Sequence, residues 1–272
     1  MEIETKTERM IVMATLHVFM GLTGSNRKEE AKAFADKQQL ALITSDDVRE
    51  ELRRNHPDVT NAFVFEEIYR RLKKILNDGE NAVFDATNLH GKQRLHLTQM
   101  LKGHELRGYM CVQTLETCVS QDANSPKPLG KEVIQRQVMT AEIPFQNEGS
   151  MSTLTYLVEH LPVEETMPLV IQKDESDHED EVTAWANVLL ESGKELFDSL
   201  PEGKHKKIGY NNISAYIAFQ TLYSLNYDID VIEQVVKVIL YKKRFMNTTE
   251  SGKEKLIGQI GEELYRKVEA LK

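Results

Sequence analysis

Through its first half the chain alternates short apolar runs with charged segments of helical spacing, and no other feature limits the fold as strongly. Ile11 to Met20 reads as a strand, Lys28 to Gln39 as a helix with alanines and charges at helical spacing, and Leu40 to Thr44 as a second strand, together a βαβ unit. Ile68, Leu72 and Leu76, spaced four apart, place a helix over Phe65 to Asn77, which Asp78-Gly79 stops before a third strand at Ala82 to Phe84. Lys92 to Leu101 reads as a helix and Leu106 to Gln113 as a fourth strand. That order predicts an α/β fold, a parallel sheet with flanking helices. From about residue 150 the strands give out. Met151 to Leu161, Glu179 to Leu200, Asn211 to Leu225, Ile229 to Tyr241 and Glu250 to Leu271 all read as helices, so the expected domains are 1–149 and an all-helical 150–272.

Composition narrows the function classes. The 272 residues carry 34 Lys and Arg against 43 Asp and Glu, and a net charge of −9 argues against general attraction to nucleic acid or anionic lipid while leaving room for a local basic groove. Most of the excess lies in residues 151–272, with 14 basic and 21 acidic side chains. Cys111 and Cys118 are too few for a disulfide framework and lack metal-site spacing, which suggests reduced thiols and a cytoplasmic protein. Met10 to Leu22, the longest apolar stretch, is shorter than the roughly 20 residues a spanning helix needs, and MEIETKTER is unlike the basic start of a signal peptide, so no membrane partner is expected. The acidic run Asp174 to Glu181 reads as a solvated loop before a helix.

Between the first strand and first helix stands Gly21-Leu22-Thr23-Gly24-Ser25-Asn26-Arg27-Lys28. A phosphate loop reads G-x-x-x-x-G-K-[ST]: its last glycine lets the backbone approach phosphate, its lysine reaches the β/γ oxygens and its hydroxyl holds Mg²⁺. Here Asn26, Arg27 and Lys28 fill those three positions. Asn26 tolerates a positive φ and Arg27 keeps a charge, but Lys28 removes the hydroxyl and sets a cation where a dication belongs. The plain alternative is a tight turn before a helix. Two further loops, Ile43 to Arg49 and Val83 to Leu89, follow the second and third strands, and ligands of such sheets bind beyond the strands' carboxyl ends. Asp46 has the chemistry to take a proton from a substrate hydroxyl, Arg49 to bind a phosphate and Asp85 to orient a metal or water. Each aspartate is equally readable as a helix N-cap, the preferred reading for Asp47.

These segments resemble the polynucleotide-kinase-like P-loop phosphotransferases, which show a GxPGSGKST-type loop, an S-D-D-x-R segment and a D-A-T-N segment in this order. The likeness spans about residues 12–148 and includes Glu132 to Val138 with Ile143-Pro144-Phe145. It implies that Asp46 is the general base and Asp85 the acid after the third strand. It implies further that Gly21, Gly24, Ser25, Asn26, Arg27, Arg49, Asn88 and Arg136 contact nucleotide or substrate phosphate. Family lids carry arginines where Val119-Ser120-Gln121-Asp122 supplies none. Lysine, hydroxyl and lid arginine are all missing together, and each such group is worth on the order of 10³-fold in rate.

The second half resembles the HD-domain phosphohydrolases, whose helix ends L-L-H-D-x-G-K and whose G-H-H-N and Y-H-x-R segments supply metal ligands. In this chain the corresponding positions are Leu190, Glu191, Tyr210, Asn211 and Lys242, and no histidine is followed by aspartate. No metal is expected there. Trp185, with Val182 and Leu189, reads as the apolar anchor of the same helix.

Three functions follow. The favoured one is a phage-type, two-domain pseudoenzyme derived from a nucleic-acid end-processing enzyme, binding a protein partner, a nucleotide or a nucleic-acid end, with no certain cofactor. The second is an active polynucleotide or nucleotide kinase using ATP and Mg²⁺ through Arg27. The third is an interaction protein whose acidic helical half meets a basic partner.

Overall fold

The computed structural model describes residues 13–174, 180–200 and 209–271. The acidic run therefore falls largely outside the described residues. The expected alternation is present: β1 (Thr15–Gly21), α1 (Arg27–Gln38), β2 (Ala41–Thr44), α2 (Ser45–Asn55), α3 (Asn61–Asn77), β3 (Ala82–Asp85), α4 (Gly91–Met100) and β4 (Glu105–Val112). Next come α5 (Leu115–Ala123), α6 (Lys131–Thr140) and β5 (Thr153–Val158). The strands form one sheet in the order β2-β3-β1-β4-β5, with β3 parallel to both β1 and β2. Parallel neighbours need crossover connections, which α1 and the helices between β2 and β3 supply. Leu16, Val18, Met20, Ala82, Val83 and Phe84 are wholly buried, which is why β3 and, apart from Thr15 and His17, β1 read as near-continuous apolar runs rather than alternating ones.

β5 corrects the expectation of a helix over Met151 to Leu161. Leu154 and Tyr156 are buried while Thr153 and Thr155 are exposed, the period of two that a half-covered strand requires. Ser152 donates its N–H to the Leu106 carbonyl (2.7 Å) and Glu159 to that of Val112 (2.9 Å), so β5 runs alongside β4 in the same direction. Beyond it the chain is helical, with α7 (Val163–Asp174), α8 (Glu181–Leu189), α9 (Lys194–Ser199), α10 (Asn211–Ser224), α11 (Ile229–Met246), α12 (Glu250–Ile260) and α13 (Glu262–Ala270). Two helices expected to be continuous are broken. The 179–200 segment divides into α8 and α9 around Gly193, whose N–H is taken by the Ser214 hydroxyl (3.0 Å). The 250–271 segment turns at Gly261, whose φ of 81° continues no right-handed helix.

The chain divides into two compact units, neither a single stretch of sequence. One comprises residues 13–21, Asn26–Met110 and Gln146–Thr155; the other comprises Leu22–Ser25, Cys111–Phe145 and residues 156–271. In the first, α3 buries Val64, Ile68, Leu72 and Leu76, the face its spacing marks out. In the second, α8 buries Trp185 with Val182 and Leu189, and Tyr227 meets the indole edge-on at 5.6 Å. No helix among the described residues is long and apolar enough to cross a membrane.

Candidate functional site

Strand register gathers the carboxyl ends of three neighbouring strands, β2, β3 and β1. Asp85, the last residue of β3, lies level with Phe19 of β1 and Thr44 of β2. Helix α1 begins at Arg27, directly after Asn26, whose φ of 59° and ψ of 6° put it in the left-handed region that the loop's last glycine would otherwise occupy. Arg27 points inward. Its Nη1 donates to Asp85 Oδ1, and the two side chains are only 8% and 1% exposed. Burial pushes the Asp85 carboxyl above its usual range and the neighbouring Asp46 charge adds to this, while Arg27 and Lys28 pull the other way. Three polar atoms at this strand end, Arg27 Nε, Asp85 Oδ2 and Asn88 Nδ2, are buried without a hydrogen-bond partner.

The acceptor-side pair is built differently. β2 runs straight into α2, and the cap is Thr44, whose hydroxyl accepts from the Asp47 N–H at 3.0 Å; this corrects the expectation that Asp47 caps the helix. Asp46 therefore sits in the first turn, where its carboxylate is favoured by the helix dipole. Arg49, one turn on, donates from Nη1 to Asp46 Oδ1 at 2.7 Å, with the side chains 25% and 54% exposed respectively. Asn88 is buried with a φ of 42°, and its carbonyl accepts from Arg94 Nη1 at 3.1 Å. Arg94, itself wholly buried, also grips Glu148 through Nε (2.6 Å) and Nη2 (2.9 Å). Sequence patterning did not single it out, although Arg94, Leu97 and Leu101 at spacings of three and four mark an inward position on α4.

In the other unit, the remaining loop residues are tied to α5 and α6. Gln137 accepts the Thr23 N–H at 2.9 Å and donates to the Thr23 hydroxyl at 3.0 Å. Gly24 has a φ of 77°, and a Cβ there would lie 2.0 Å from the Cys118 carbonyl oxygen, so only glycine fits. The Ser25 hydroxyl is buried and donates to the Leu22 carbonyl at 2.8 Å. Gly21, in the first unit, donates its N–H to the Thr87 carbonyl. Asp122, in the segment compared with an arginine-bearing lid, accepts the N–H groups of Leu129 (3.0 Å) and Gly130 (2.8 Å). Arg136 is exposed, and its Nε donates to the Glu132 carbonyl of its own helix.

The five positions compared with metal ligands also have structural occupations. Leu190 ends α8, and Glu191, exposed, lies 3.4 Å from both the Lys194 ammonium and the Tyr210 hydroxyl. Asn211 is buried and donates to the Ile239 carbonyl at 2.8 Å, while the Lys242 ammonium reaches the Leu271 carbonyl. Burial lowers the Lys242 pKa. Among the described residues no group of three or more His, Cys, Asp or Glu side chains is placed to hold a metal ion.

Residues 16–144 match the family model described as an AAA domain. With the glycine-rich turn between β1 and α1 and β1 at the centre of the sheet, the fold is an α/β one, a five-stranded sheet flanked by helices, like that of P-loop kinases. Solved structures similar to this chain include a gluconokinase from Sinorhizobium meliloti 1021, 15% identical with a TM-score of 0.39 over 58% of this chain and 88% of that one. Another is a sugar kinase from Janibacter sp. HTCC2649, 15% identical with a TM-score of 0.41 over 58% and 92%. No curated protein sequence matches.

Such a fold is consistent with ATP and Mg²⁺, but the residues present do not fit the metal. Lys28 offers an exposed ammonium where a hydroxyl is required, the Ser25 hydroxyl is engaged within the loop, and Asp85 is paired with Arg27. No step through Mg²⁺ follows from this donor set.

Proposed function

We propose that the chain is a kinase-like scaffold that binds without transferring phosphate. The observation that carries this reading is the buried Arg27–Asp85 pair: the cation expected to reach a phosphate is neutralised inside the protein. Withdrawing it to meet a ligand would strand Asp85 as a buried charge, which is strongly unfavourable. The unpartnered Arg27 Nε, Asp85 Oδ2 and Asn88 Nδ2 add that a small polar ligand supplying donors and acceptors here is stabilising, since each such orphan costs about 1–3 kcal/mol. The helical positions from Leu190 to Lys242 are read in the same way, as an HD-like site that has exchanged metal ligands for packing and hydrogen bonds. Its partner on this reading is a protein, a nucleotide or a nucleic-acid end.

Thermal unfolding of the full chain with ATP, with and without Mg²⁺, tests the proposal. Any stabilisation is expected to be the same with and without the metal. Turnover of Mg²⁺–ATP to phosphorylate a nucleotide or a nucleic-acid 5′-hydroxyl, abolished by Asp46→Asn, overturns it in favour of an active kinase. The exposed Asp46–Arg49 pair is the feature that keeps this second reading alive.

A further inference from the structure

A second site lies away from the strand ends, in the groove between α3 and α4. Its volume is about 590 Å³, inside the range of about 300–1,000 Å³ typical of ligand sites. Its floor is aromatic. Tyr69 packs edge-on to His96 at 5.4 Å and 65°, and Phe65 lies one turn away with its ring centroid 6.0 Å from that of Tyr69. Arg70 and Lys73 line the same groove, with Glu66 as its carboxylate and Met100 exposed at the α4 side. Arg70 is held flat by Glu67 through two hydrogen bonds of 2.6 and 2.7 Å. Lys73 is exposed, as is Lys92, one turn before His96 on the same face of α4.

The charge is the second independent observation. In a chain of net charge −9, α3 and α4 together hold six Lys and Arg and two Glu. Arg94 is wholly buried against Glu148 and Arg71 is paired with Glu51 and Glu67, which leaves Arg70, Lys73, Lys74 and Lys92 as the outward cations against Glu66 and Glu67. This is a local basic face on an acidic molecule, interleaved with rings whose faces suit any base. A cationic track beside aromatic platforms is the arrangement that holds unpaired nucleic acid, because every base has a π-face and every linkage a phosphate. We infer that this groove binds a single-stranded nucleic acid, its bases stacking against Tyr69 and His96 and its phosphates meeting Lys73 and Lys92. An acidic peptide would use the lysines but has less need of the rings.

The test is fluorescence anisotropy of the full chain with a labelled 12-nucleotide oligothymidylate or oligouridylate, at about 50 and 200 mM salt. Saturable binding that weakens with salt is expected. His96→Ala weakens it about fivefold or more, because a stacking partner is removed. Lys73→Glu with Lys92→Glu lowers the magnitude of the log–log salt slope by about 1.4, at about 0.7 for each phosphate no longer neutralised. Both variants alter exposed side chains, and an unchanged thermal midpoint confirms their folding. The same charge reversal elsewhere, Lys253→Glu with Arg266→Glu, leaves binding within about twofold. Equal weakening in both double variants, indifference to all of them, or no saturable binding at low salt overturns the inference. So does a groove-dependent complex with a glutamate–tyrosine copolymer in place of the oligonucleotide.

Discussion

Two arginine–aspartate pairs stand at the carboxyl ends of neighbouring strands in the same compact unit, and they are in opposite states. Arg27–Asp85 is closed off from water, whereas Arg49–Asp46 is a pair one helical turn apart with more than half of its carboxylate exposed. The same two side-chain types thus serve as an internal strut in one place and as groups open to a ligand in the other. What separates them is the origin of each residue. Asp85 ends a strand buried on both faces, and Asp46 begins a helix at the surface.

The sharpest way to break this comparison is to remove each arginine in turn. Arg27→Ala lowers unfolding free energy by about 3–5 kcal/mol in urea denaturation, because it leaves a buried carboxyl without its partner. Arg49→Ala costs less than about 1 kcal/mol. Equal effects would erase the distinction. Next in size is a gain: Asn26→Gly, Arg27→Lys and Lys28→Thr together restore a complete phosphate loop. That variant is expected to gain about 2.7 kcal/mol from Mg²⁺–ATP at about 100 times its Kd, read as a midpoint shift that depends on Mg²⁺, as any shift of the parent chain does not. Gly24→Ala sharpens the picture of the loop, costing about 2–3 kcal/mol through its positive φ and the collision with the Cys118 carbonyl.

The smallest effect is on pH dependence. Burial raises the Asp85 pKa above the unfolded value, so the folded chain holds this proton more tightly. The resulting stabilisation is complete below the ordinary carboxylate range and is lost as pH rises through the raised folded value, at no more than about 1.4 kcal/mol per pH unit. Thermal midpoints of the parent chain and Asp85→Asn measure it: the parent's advantage over Asp85→Asn shrinks across that window. A parallel pair of curves would mean that Asp85 keeps an ordinary pKa.

Much of the fold was legible because its central strands are apolar on both faces and α3 carries a four-residue spacing that nothing else produces. β5 escaped because it is half covered and only six residues long: Leu154 and Tyr156 carry the strand period, but Met151, Leu154, Leu157 and Val158 in the same stretch supply the three- and four-residue spacing of a helix. At the site, Asn26 was readable from local chemistry, since asparagine is among the few side chains at ease with a positive φ. The Arg27–Asp85 contact was not, because 58 residues separate its members and pairing over that distance depends on strand register. The Gln137 clamp on Thr23 spans 114 residues and was hidden for the same reason.

β5 has one practical consequence for anyone trimming this chain. Cutting it after Gly149, where the composition changes, would leave β4 with a row of amide and carbonyl groups facing water, the kind of raw border that recruits other chains into aggregates. Keeping β4 paired therefore needs the chain through Glu159, whose N–H closes the last bond of that border, and also the helices beyond it, since Tyr216 bonds to Gln113 and Gln220 donates to the Glu159 carbonyl.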